Sequence, residues 1–520
     1  MDSNTERYPI GQQDFKTLRE MGSLYVDKTR YIEKILRSNS QYMFLARPRR
    51  FGKSLFLSAL RYFFEGKREL FKGLYIDSIG WEWEEYPVLY LDLNTDRYAG
   101  QGHLEGVLER LFRTWENKYG IECKDEEFSQ RFSTIIAEAH RKTGRQVVIL
   151  VDEYDKPLVG NLNKDENFEH YRSRLASVYS NFKSSAEHIR LVFLTGVSRF
   201  SKLSVFSDLN NISDITFLNE YADICGITEK ELLEYFPLGI RRLAESYEVT
   251  YEEACRKLKL NYDGYRFARE GSDIYNPWSV LNAMNASRIA SYWVHTGLPT
   301  IIAEALKNMD ADLERILNTR CRLSDLAGLD LRSADPLALL YQTGYLTIKQ
   351  YNRRTDSVRL GVPNREVKGG LFDVLLPYYI TVRRGTPSSV IRDLINGLDE
   401  GEPEEFMRSL DTYLAGIPYD LKLENENNFH NAIYILLSLI GAKTEAEVHT
   451  SDGRIDLLIL TYDFIYVVEL KFGKDAATAM RQIEEKRYDL PFHRDGRTIF
   501  RIGANFDRDT RRLTWEIIKV

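Results

Sequence analysis

An apolar run passes directly into a basic loop with one glycine in the segment 41–54, which reads QYMFLARPRRFGKS. The run 41–46 suits a strand buried on both faces, and the apolar spacing of residues 55–64 suits a helix. A loop between a strand and a helix N-terminus presents backbone N–H groups and a positive dipole end to an anion. The segment therefore predicts a phosphate-binding site.

The loop contains most of the P-loop pattern GxxxxGK[ST]. Gly52 lets the backbone approach a phosphate, Lys53 can reach the β- and γ-phosphates, and the Ser54 hydroxyl can ligate Mg²⁺. Arg47 stands where the pattern has its first glycine, so a solvated basic turn is the alternative, and the arginines can face a phosphate, a neighbouring subunit or solvent. We predict that ATP is bound through Arg50, Phe51, Gly52, Lys53 and Ser54.

Three further apolar runs, at 87–92, 147–151 and 191–195, alternate with segments of helical spacing at 104–115 and 171–182. This repeated strand–helix order predicts a mainly parallel sheet. The first part of the chain is therefore expected to be an α/β domain of the P-loop NTPase kind.

Polar side chains follow the second and third of these runs. Asp152 and Glu153 end a buried strand at the sheet edge where ligands of open α/β sheets bind. We predict that Asp152 holds Mg²⁺ and that Glu153 polarises the water that attacks the γ-phosphate. On the next strand, Thr195 is predicted to donate a hydrogen bond to the γ-phosphate and Arg199 to stabilise charge, although an arginine after a strand is as often a surface residue.

The rest of the chain is predicted to form a helical middle region and a second α/β unit. Within the middle region, residues 345–350 and 358–363 could pair as the hairpin of a winged-helix module. A stretch with two glycines and a proline among acidic residues then precedes the last unit. The predicted domains are an α/β domain with the phosphate loop at 1–215, a lid or connector at 216–400 and a second α/β unit at 401–520.

The last unit carries two carboxylates and a lysine on neighbouring predicted strands. Glu469 and Lys471 are two residues apart and so point to one face of a strand, and Asp456 can lie beside Glu469. Such a group suits phosphodiester hydrolysis, with the acids binding Mg²⁺ or Mn²⁺ and the lysine neutralising charge. The alternative is a cross-strand ion pair on a half-exposed sheet.

Residues on two helices are candidates to complete this site. Gln482, on the helix after the Glu469 strand, could orient the nucleophile or the lysine. Glu424 and Glu426 precede or begin an earlier helix, and either could supply another metal ligand. Nothing in the sequence selects between these two glutamates.

Composition restricts the partners of the chain. Its 520 residues include 71 Lys and Arg against 77 Asp and Glu, a net charge of −6, which argues against a polycation that coats nucleic acid or membrane. The four cysteines are too scattered for a zinc site or a disulfide framework and are expected to be reduced thiols. No apolar stretch approaches the roughly 20 residues of a bilayer span, so we expect a cytoplasmic protein without a membrane partner.

Several longer motifs resemble a known combination of domains. Residues from about 8 to 276 resemble the prokaryotic AAA-ATPase-like family in the loop 47–54, in VDEYD at 151–155, in TGVSRFSK at 195–202, and in NYDGYRF at 261–267 with NPWS at 276–279. Residues from about 424 to 503 resemble the PD-(D/E)XK nuclease superfamily, whose motif positions fall on Asp456, Glu469, Lys471 and Gln482. Ile455 replaces the proline of the family motif.

This resemblance implies an AAA-like P-loop ATPase domain at 1–215, in which Arg47 is a tolerated departure, and an α/β restriction-endonuclease-like fold for the domain at 401–520. The expected function is ATP hydrolysis coupled to metal-dependent cleavage of DNA or RNA. The alternative is a nucleotide-regulated binding or signalling ATPase whose nuclease-like domain recognises nucleic acid or a partner without cutting. Arg49, Arg50 and Arg199 can act within one subunit or across subunits of a homo-oligomer.

Overall fold

The computed structural model of the chain describes residues 6–124, 127–161, 165–199, 212–293, 313–326, 336–379, 387–415, 431–436, 438–439, 447–451, 454–507, 510 and 512–520. It forms two compact units, unit 1 (1–297 and 319–364) and unit 2 (298–318 and 365–520). The segment 216–400, predicted as one connector, is divided between them. Within the described residues, no helix combines the length and apolar character needed to cross a membrane.

Unit 1 is built on a five-stranded sheet in which all strand pairs are parallel. Its strands are β1 (Tyr42–Ala46), β2 (Val88–Asp92), β3 (Val147–Asp152), β4 (Ile189–Gly196) and β5 (Ser213–Asp214). The order is β2-β3-β4-β1-β5, so β4 lies between the strand that precedes the basic loop and the strand that ends in Asp152. Strands β1, β3 and β4 are almost wholly buried, and the predicted parallel α/β sheet is confirmed.

Helices cover this sheet and continue beyond it. In unit 1 they span Phe15–Glu20, Arg30–Arg37, Lys53–Phe64, Tyr75–Ser78, His103–Tyr119, Phe128–Thr143, Lys156–Val159, Asp165–Tyr179, Asn181–Ser184, Glu229–Tyr235, Pro237–Ser246, Tyr251–Tyr262, Pro277–Ala286 and Pro336–Thr343. The helix Pro277–Ala286 begins where Asn276 accepts a hydrogen bond from the Ser279 N–H and Pro277 occupies the first turn. Such residues suit a helix start because they satisfy or dispense with an unpaired N–H group.

Two small sheets complete unit 1. One pairs β6 (Ile227–Thr228) with β7 (Ile274–Tyr275). The other contains β8 (Arg320–Arg322), β9 (Thr347–Asn352) and β10 (Ser357–Gly361) in the order β8-β10-β9, with both pairs antiparallel. The hairpin predicted in the middle region is present as β9 and β10, and it follows the helix Pro336–Thr343.

Unit 2 contains a second five-stranded sheet. Its strands are β11 (Glu447–Ser451), β12 (Arg454–Leu460), β13 (Phe464–Phe472), β14 (Thr498–Phe506) and β15 (Leu513–Lys519), and they are hydrogen-bonded in that order. Only β13 and β14 pair in parallel, because the helix Ala476–Lys486 connects them and packs on one face of the sheet. The other described helices of this unit are Leu313–Leu317, Arg365–Tyr379, Pro387–Asp399 and Pro403–Ala415, with helical residues at 431–436 and 438–439.

Candidate active sites

The basic loop after β1 folds around the ammonium group of Lys53. Gly52 has φ +94° and Arg50 has φ +67°, so the chain turns sharply before the helix Lys53–Phe64. The Lys53 Nζ donates to the carbonyls of Arg47 at 3.0 Å and Pro48 at 3.2 Å. It also lies 3.4 Å from Oε1 of Glu153. The ammonium group of the predicted phosphate-binding lysine is therefore held inside the loop by carbonyl groups of the loop backbone.

Arg47 faces the interior of unit 1. From the sequence, its side chain could face a phosphate, a neighbouring subunit or solvent. Its guanidinium is buried and donates to the carbonyls of Ala46 and Thr216 at 2.9 Å each and of Tyr221 at 2.9 Å. The same group lies 4.6 Å from the centre of the Phe267 ring. Arg47 thus ties β1 to the segment that follows β5.

Aromatic contacts anchor the two residues that precede Gly52. The Arg50 guanidinium lies 4.2 Å from the centre of the Trp278 ring, a distance that suits a cation–π contact. Phe51 is buried and packs edge-to-face on Tyr265 and Phe267. Both residues therefore fix the loop through side chains that belong to the second half of unit 1.

Asp152 lies at the end of β3 and is held by two hydroxyl groups. Thr195 on β4 donates to Oδ1 of Asp152 at 2.7 Å, and Ser54 contributes a second hydrogen bond. Burial, and after it the charge of Glu153, raises the pKa of Asp152, while these two hydroxyls oppose the rise. Because β4 lies between β1 and β3, Thr195 lies between the strand that leads into the basic loop and the acidic strand end. The structure brings Ser54, Asp152 and Thr195 together.

Glu153 adopts an unusual backbone conformation for a residue other than glycine, with φ +52°. Burial alone would raise the pKa of its carboxyl, but the charges of Lys53, Arg49 and Lys156 outweigh burial and lower that pKa. The Glu153 side chain is thus an ionised carboxylate at the edge of the phosphate loop.

Three further residues, for which the sequence predicts no role, stabilise the strand end that carries Asp152 and Glu153. Asp155 is buried and accepts hydrogen bonds from the N–H groups of Val197 at 3.1 Å and Ser198 at 2.7 Å. Tyr154 donates to the Ser198 carbonyl at 2.9 Å. Gly196 passes so close that a Cβ there would lie 2.5 Å from the Tyr154 ring. The motif VDEYD contains Tyr154 and Asp155, but their partners at and just after the end of β4 become visible only in the fold.

Arg199 does not line the pocket at the basic loop within the described part of unit 1. Its guanidinium forms an ion pair with Asp214 and lies 4.6 Å from the centre of the Phe217 ring. In this conformation it stabilises the end of β5, so its predicted role beside the γ-phosphate stays a prediction. Residues 200–202 of the TGVSRFSK motif lie outside the described residues.

A pocket of about 270 Å³ opens at the basic loop. The side chains that line it include Arg49, Lys53, Glu153 and Trp278. A second, mainly apolar recess of about 90 Å³ shares several of its walls and is lined by such residues as Tyr25, Val26, Phe51 and Ile227. A charged pocket and an apolar recess therefore adjoin at Gly52, which lines both.

In unit 2, three of the predicted nuclease residues, Glu469, Lys471 and Gln482, come together. The Lys471 Nζ forms an ion pair with Oε1 of Glu469 and donates to Oε1 of Gln482 at 2.6 Å. The Glu469 side chain is fully buried, and its Oε2 has no hydrogen-bond partner within the described residues. An unpartnered buried carboxylate oxygen is costly unless a ligand completes it.

The sequence also predicts carboxylates from the strand before β13 and from an earlier helix at this site. Asp456 on β12 is the register partner of Glu469 on β13, as predicted from the strand order. Glu424 and Glu426, the candidate helix ligands, lie outside the described residues. Among the described residues, no group of three or more His, Cys, Asp or Glu side chains is placed to hold a metal ion.

Comparisons with known proteins match this two-part architecture. Residues 9–206 match the family model described as predicted AAA-ATPase, and residues 424–516 match that of the PD-(D/E)XK nuclease superfamily. The chain is also 34% identical, over 99% of its length and 99% of the relative's, to the uncharacterized protein in the vnfD 5' region of Azotobacter chroococcum mcd 1. The chain belongs to the family of predicted AAA-ATPases that carry a C-terminal PD-(D/E)XK nuclease superfamily domain.

Proposed function

We propose that unit 1 binds and hydrolyses ATP and that unit 2 hydrolyses nucleic-acid phosphodiester bonds with the help of a divalent metal. The observation that supports the first part is the convergence of Lys53, Ser54, Asp152 and Glu153 on one edge of a parallel sheet. Ligands of open α/β sheets bind at this edge, and a phosphate chain needs both a cation and N–H donors there.

The pocket and its neighbour suit the two ends of a nucleotide. The charged pocket beside Arg49 and Lys53 would take the triphosphate. The adjoining apolar recess beside Tyr25 and Ile227 would take the base, because purines favour apolar walls. Leu55, which lines both cavities, would then lie near the ribose.

Ser54 and Asp152 fit a magnesium ion, since a hydroxyl and a carboxylate already hydrogen-bonded to each other offer the hard oxygen ligands it prefers. The ion, when bound, would neutralise charge on the transferred phosphoryl group. Lys53 would leave its loop carbonyls for the phosphates. The departure of this partner would free the Glu153 carboxylate to accept a proton from water.

In unit 2, the orphan oxygen of Glu469 fits a metal ligand, and Asp456 at its register partner position would supply the second carboxylate. Mg²⁺ or Mn²⁺ there would supply Lewis-acid activation of water and phosphate. Lys471 would neutralise charge on the scissile phosphate, and Gln482 would hold the Lys471 ammonium in place through the 2.6 Å hydrogen bond.

One observation favours a second candidate function, a nucleotide-regulated binding or signalling ATPase without cleavage. Residues 421–520 contain 15 Lys and Arg against 16 Asp and Glu, so this part of the chain has no excess of positive charge for a nucleic-acid backbone. A domain of this superfamily that lacks such an excess can recognise a partner rather than cut.

Two matched pairs of variants test the two activities separately. Lys53→Ala should abolish ATP hydrolysis, whereas Lys67→Ala, which removes an exposed lysine of the same unit, should leave it unchanged. Lys471→Ala should abolish Mg²⁺- or Mn²⁺-dependent cleavage of a mixed set of DNA and RNA substrates, whereas the exposed control Lys474→Ala should not. ATP hydrolysis without cleavage by the wild type would favour the second candidate. Unchanged hydrolysis in Lys53→Ala would contradict the ATP site.

A further inference from the structure

The small sheet β8-β10-β9 borders a strongly basic surface cleft of unit 1. This basic cleft, of about 840 Å³, is lined by residues of the three strands, of the β9–β10 turn and of the segment 266–270. Among the described residues that line it, seven are Arg or Lys and Glu270 alone is acidic. The whole chain has a net charge of −6, so this local excess of positive charge is not a property of the composition.

Part of this charge is used within unit 1. Arg266 pairs with Asp273 at 2.8 Å, Arg269 with Asp356 at 3.4 Å, and Arg353 with Glu270. Lys349 is half-buried and donates to the backbone carbonyls of Gly264 and Pro363. These cations stabilise the attachment of the hairpin and are only partly available to a ligand.

Three other arginines of the basic cleft have no carboxylate partner among the described residues. The side chains of Arg320 on β8 and Arg354 in the β9–β10 turn are exposed. Arg359 on β10 donates to the amide oxygen of Gln350 at 3.1 Å. Moreover, Arg320 and Arg359 are direct register partners across the antiparallel strands. Like charges in this position destabilise a sheet, so folding alone does not explain the pair.

We propose that the basic cleft binds the phosphodiester backbone of nucleic acid. A line of phosphates would offset the repulsion between Arg320 and Arg359, and guanidinium groups bind phosphate oxygens in a bidentate way. The cleft thus supplies the cationic surface that residues 421–520 lack. The inference rests on the proposed function only for its substrate class, because binding at the cleft does not require that unit 2 cuts.

Binding is measured on the full-length protein without metal, so that cleavage plays no part. Fluorescence anisotropy follows labelled duplex DNA, single-stranded DNA and duplex RNA over a range of salt concentrations. The triple variant Arg320→Gln, Arg354→Gln, Arg359→Gln is compared with the control triple variant Arg68→Gln, Arg113→Gln, Arg141→Gln. The control removes three exposed arginines from other surfaces of unit 1 and changes the net charge equally. Thermal unfolding and ATP hydrolysis verify that both proteins are folded.

The cleft variant should bind the preferred nucleic acid at least about tenfold more weakly, while the control keeps the wild-type affinity. The slope of log K against log salt should fall by about 0.9 for each B-DNA phosphate that the variant no longer neutralises. Equal affinities of the cleft variant and the control would overturn the proposal, as would equally tight binding of poly-glutamate to the wild-type cleft. If the cleft variant loses binding but no Lys471-dependent cleavage is found, the proposed nuclease fails and this inference stands. If Lys471-dependent cleavage is found but the cleft variant binds like the control, this inference fails and the proposed nuclease stands.

Discussion

The hydroxyl of Thr195 donates a 2.7 Å hydrogen bond to the Asp152 carboxylate, across the boundary between β4 and β3. Thr195 itself is fully buried. The sequence predicts a direct contact of Thr195 with the γ-phosphate, whereas in the structure Thr195 donates to the carboxylate predicted to hold Mg²⁺. A residue that fixes a metal ligand in this way acts on metal affinity more than on nucleotide affinity.

Thr195→Val keeps the shape of the side chain and removes the donor. We expect the rate of ATP hydrolysis to fall about 10- to 100-fold and the Mg²⁺ concentration for half-maximal rate to rise, with ATP binding in the absence of Mg²⁺ unchanged. Thr195→Ser, which retains the hydroxyl, should restore most of the activity. A lower melting temperature with an unchanged Mg²⁺ dependence in Thr195→Val would instead indicate a purely structural role.

Arg47→Gly would restore the first glycine of GxxxxGK[ST]. Because the buried Arg47 guanidinium satisfies the carbonyls of Thr216 and Tyr221, this substitution leaves buried acceptors unpaired and opens a cavity. We expect a loss of unfolding free energy on the order of 3 kcal/mol and no gain in ATP hydrolysis. Chemical denaturation measures the first, and a steady-state ATPase assay the second. Arg47→Lys, which can reach one of the carbonyls, should fall between. Wild-type stability together with faster hydrolysis would show that Arg47 is a defect of the phosphate loop.

Features of the sites that depend on only a few neighbouring residues could be predicted from the sequence. The run 41–54 predicted a buried strand, a turn and a helix, because apolar spacing and a glycine determine each of these over a few residues. Glu469 and Lys471 could be placed on one face because strand periodicity alone decides it, and the structure pairs them. Their catalytic roles stay predictions.

Contacts between distant parts of the chain could not be predicted. The carbonyls of Thr216 and Tyr221 that bind Arg47 lie about 170 residues further along, and the N–H groups that bind Asp155 lie just after the neighbouring strand β4. No short pattern reports such partners. Arg199 shows the same limit, since its ion pair with Asp214 depends on how β5 returns beside β1.

Asp263 should make the stability of unit 1 depend on pH. Burial raises the pKa of its carboxyl to about 6; the Gly264 N–H opposes this rise and the charge of Asp273 adds to it. The native state therefore binds more protons than the unfolded state between about pH 4 and pH 6, and stability is lost as the pH rises through this window. Asp263→Asn carries no charge and should be more stable than the wild type above pH 6, by up to about 3 kcal/mol.

Thermal unfolding of both proteins from pH 8 to pH 5 measures this difference. The gap between the two melting temperatures should narrow toward pH 5, as the wild-type carboxyl becomes protonated. Glu20→Gln, which removes an exposed carboxylate of unit 1, should follow the wild-type profile. A lower melting temperature for Asp263→Asn than for the wild type at pH 8 would show that the ionised carboxylate stabilises the native state.

Glu469 should couple metal binding to the stability of unit 2, whether or not the protein cuts nucleic acid. Its Oε1 pairs with Lys471, while its buried Oε2 has no partner among the described residues, so a metal ion would satisfy an oxygen that otherwise costs free energy. A ligand that binds only the native state stabilises it by about 2.7 kcal/mol at a hundredfold excess over its dissociation constant. Mn²⁺ should therefore raise the melting temperature of the wild type in the absence of nucleic acid and nucleotide.

Glu469→Gln should abolish this shift, because an amide is a weaker ligand, whereas the exposed control Glu485→Gln should retain it. An equal Mn²⁺ shift in all three proteins would place the metal elsewhere, and Glu469 would then be the buried half of a structural ion pair with Lys471.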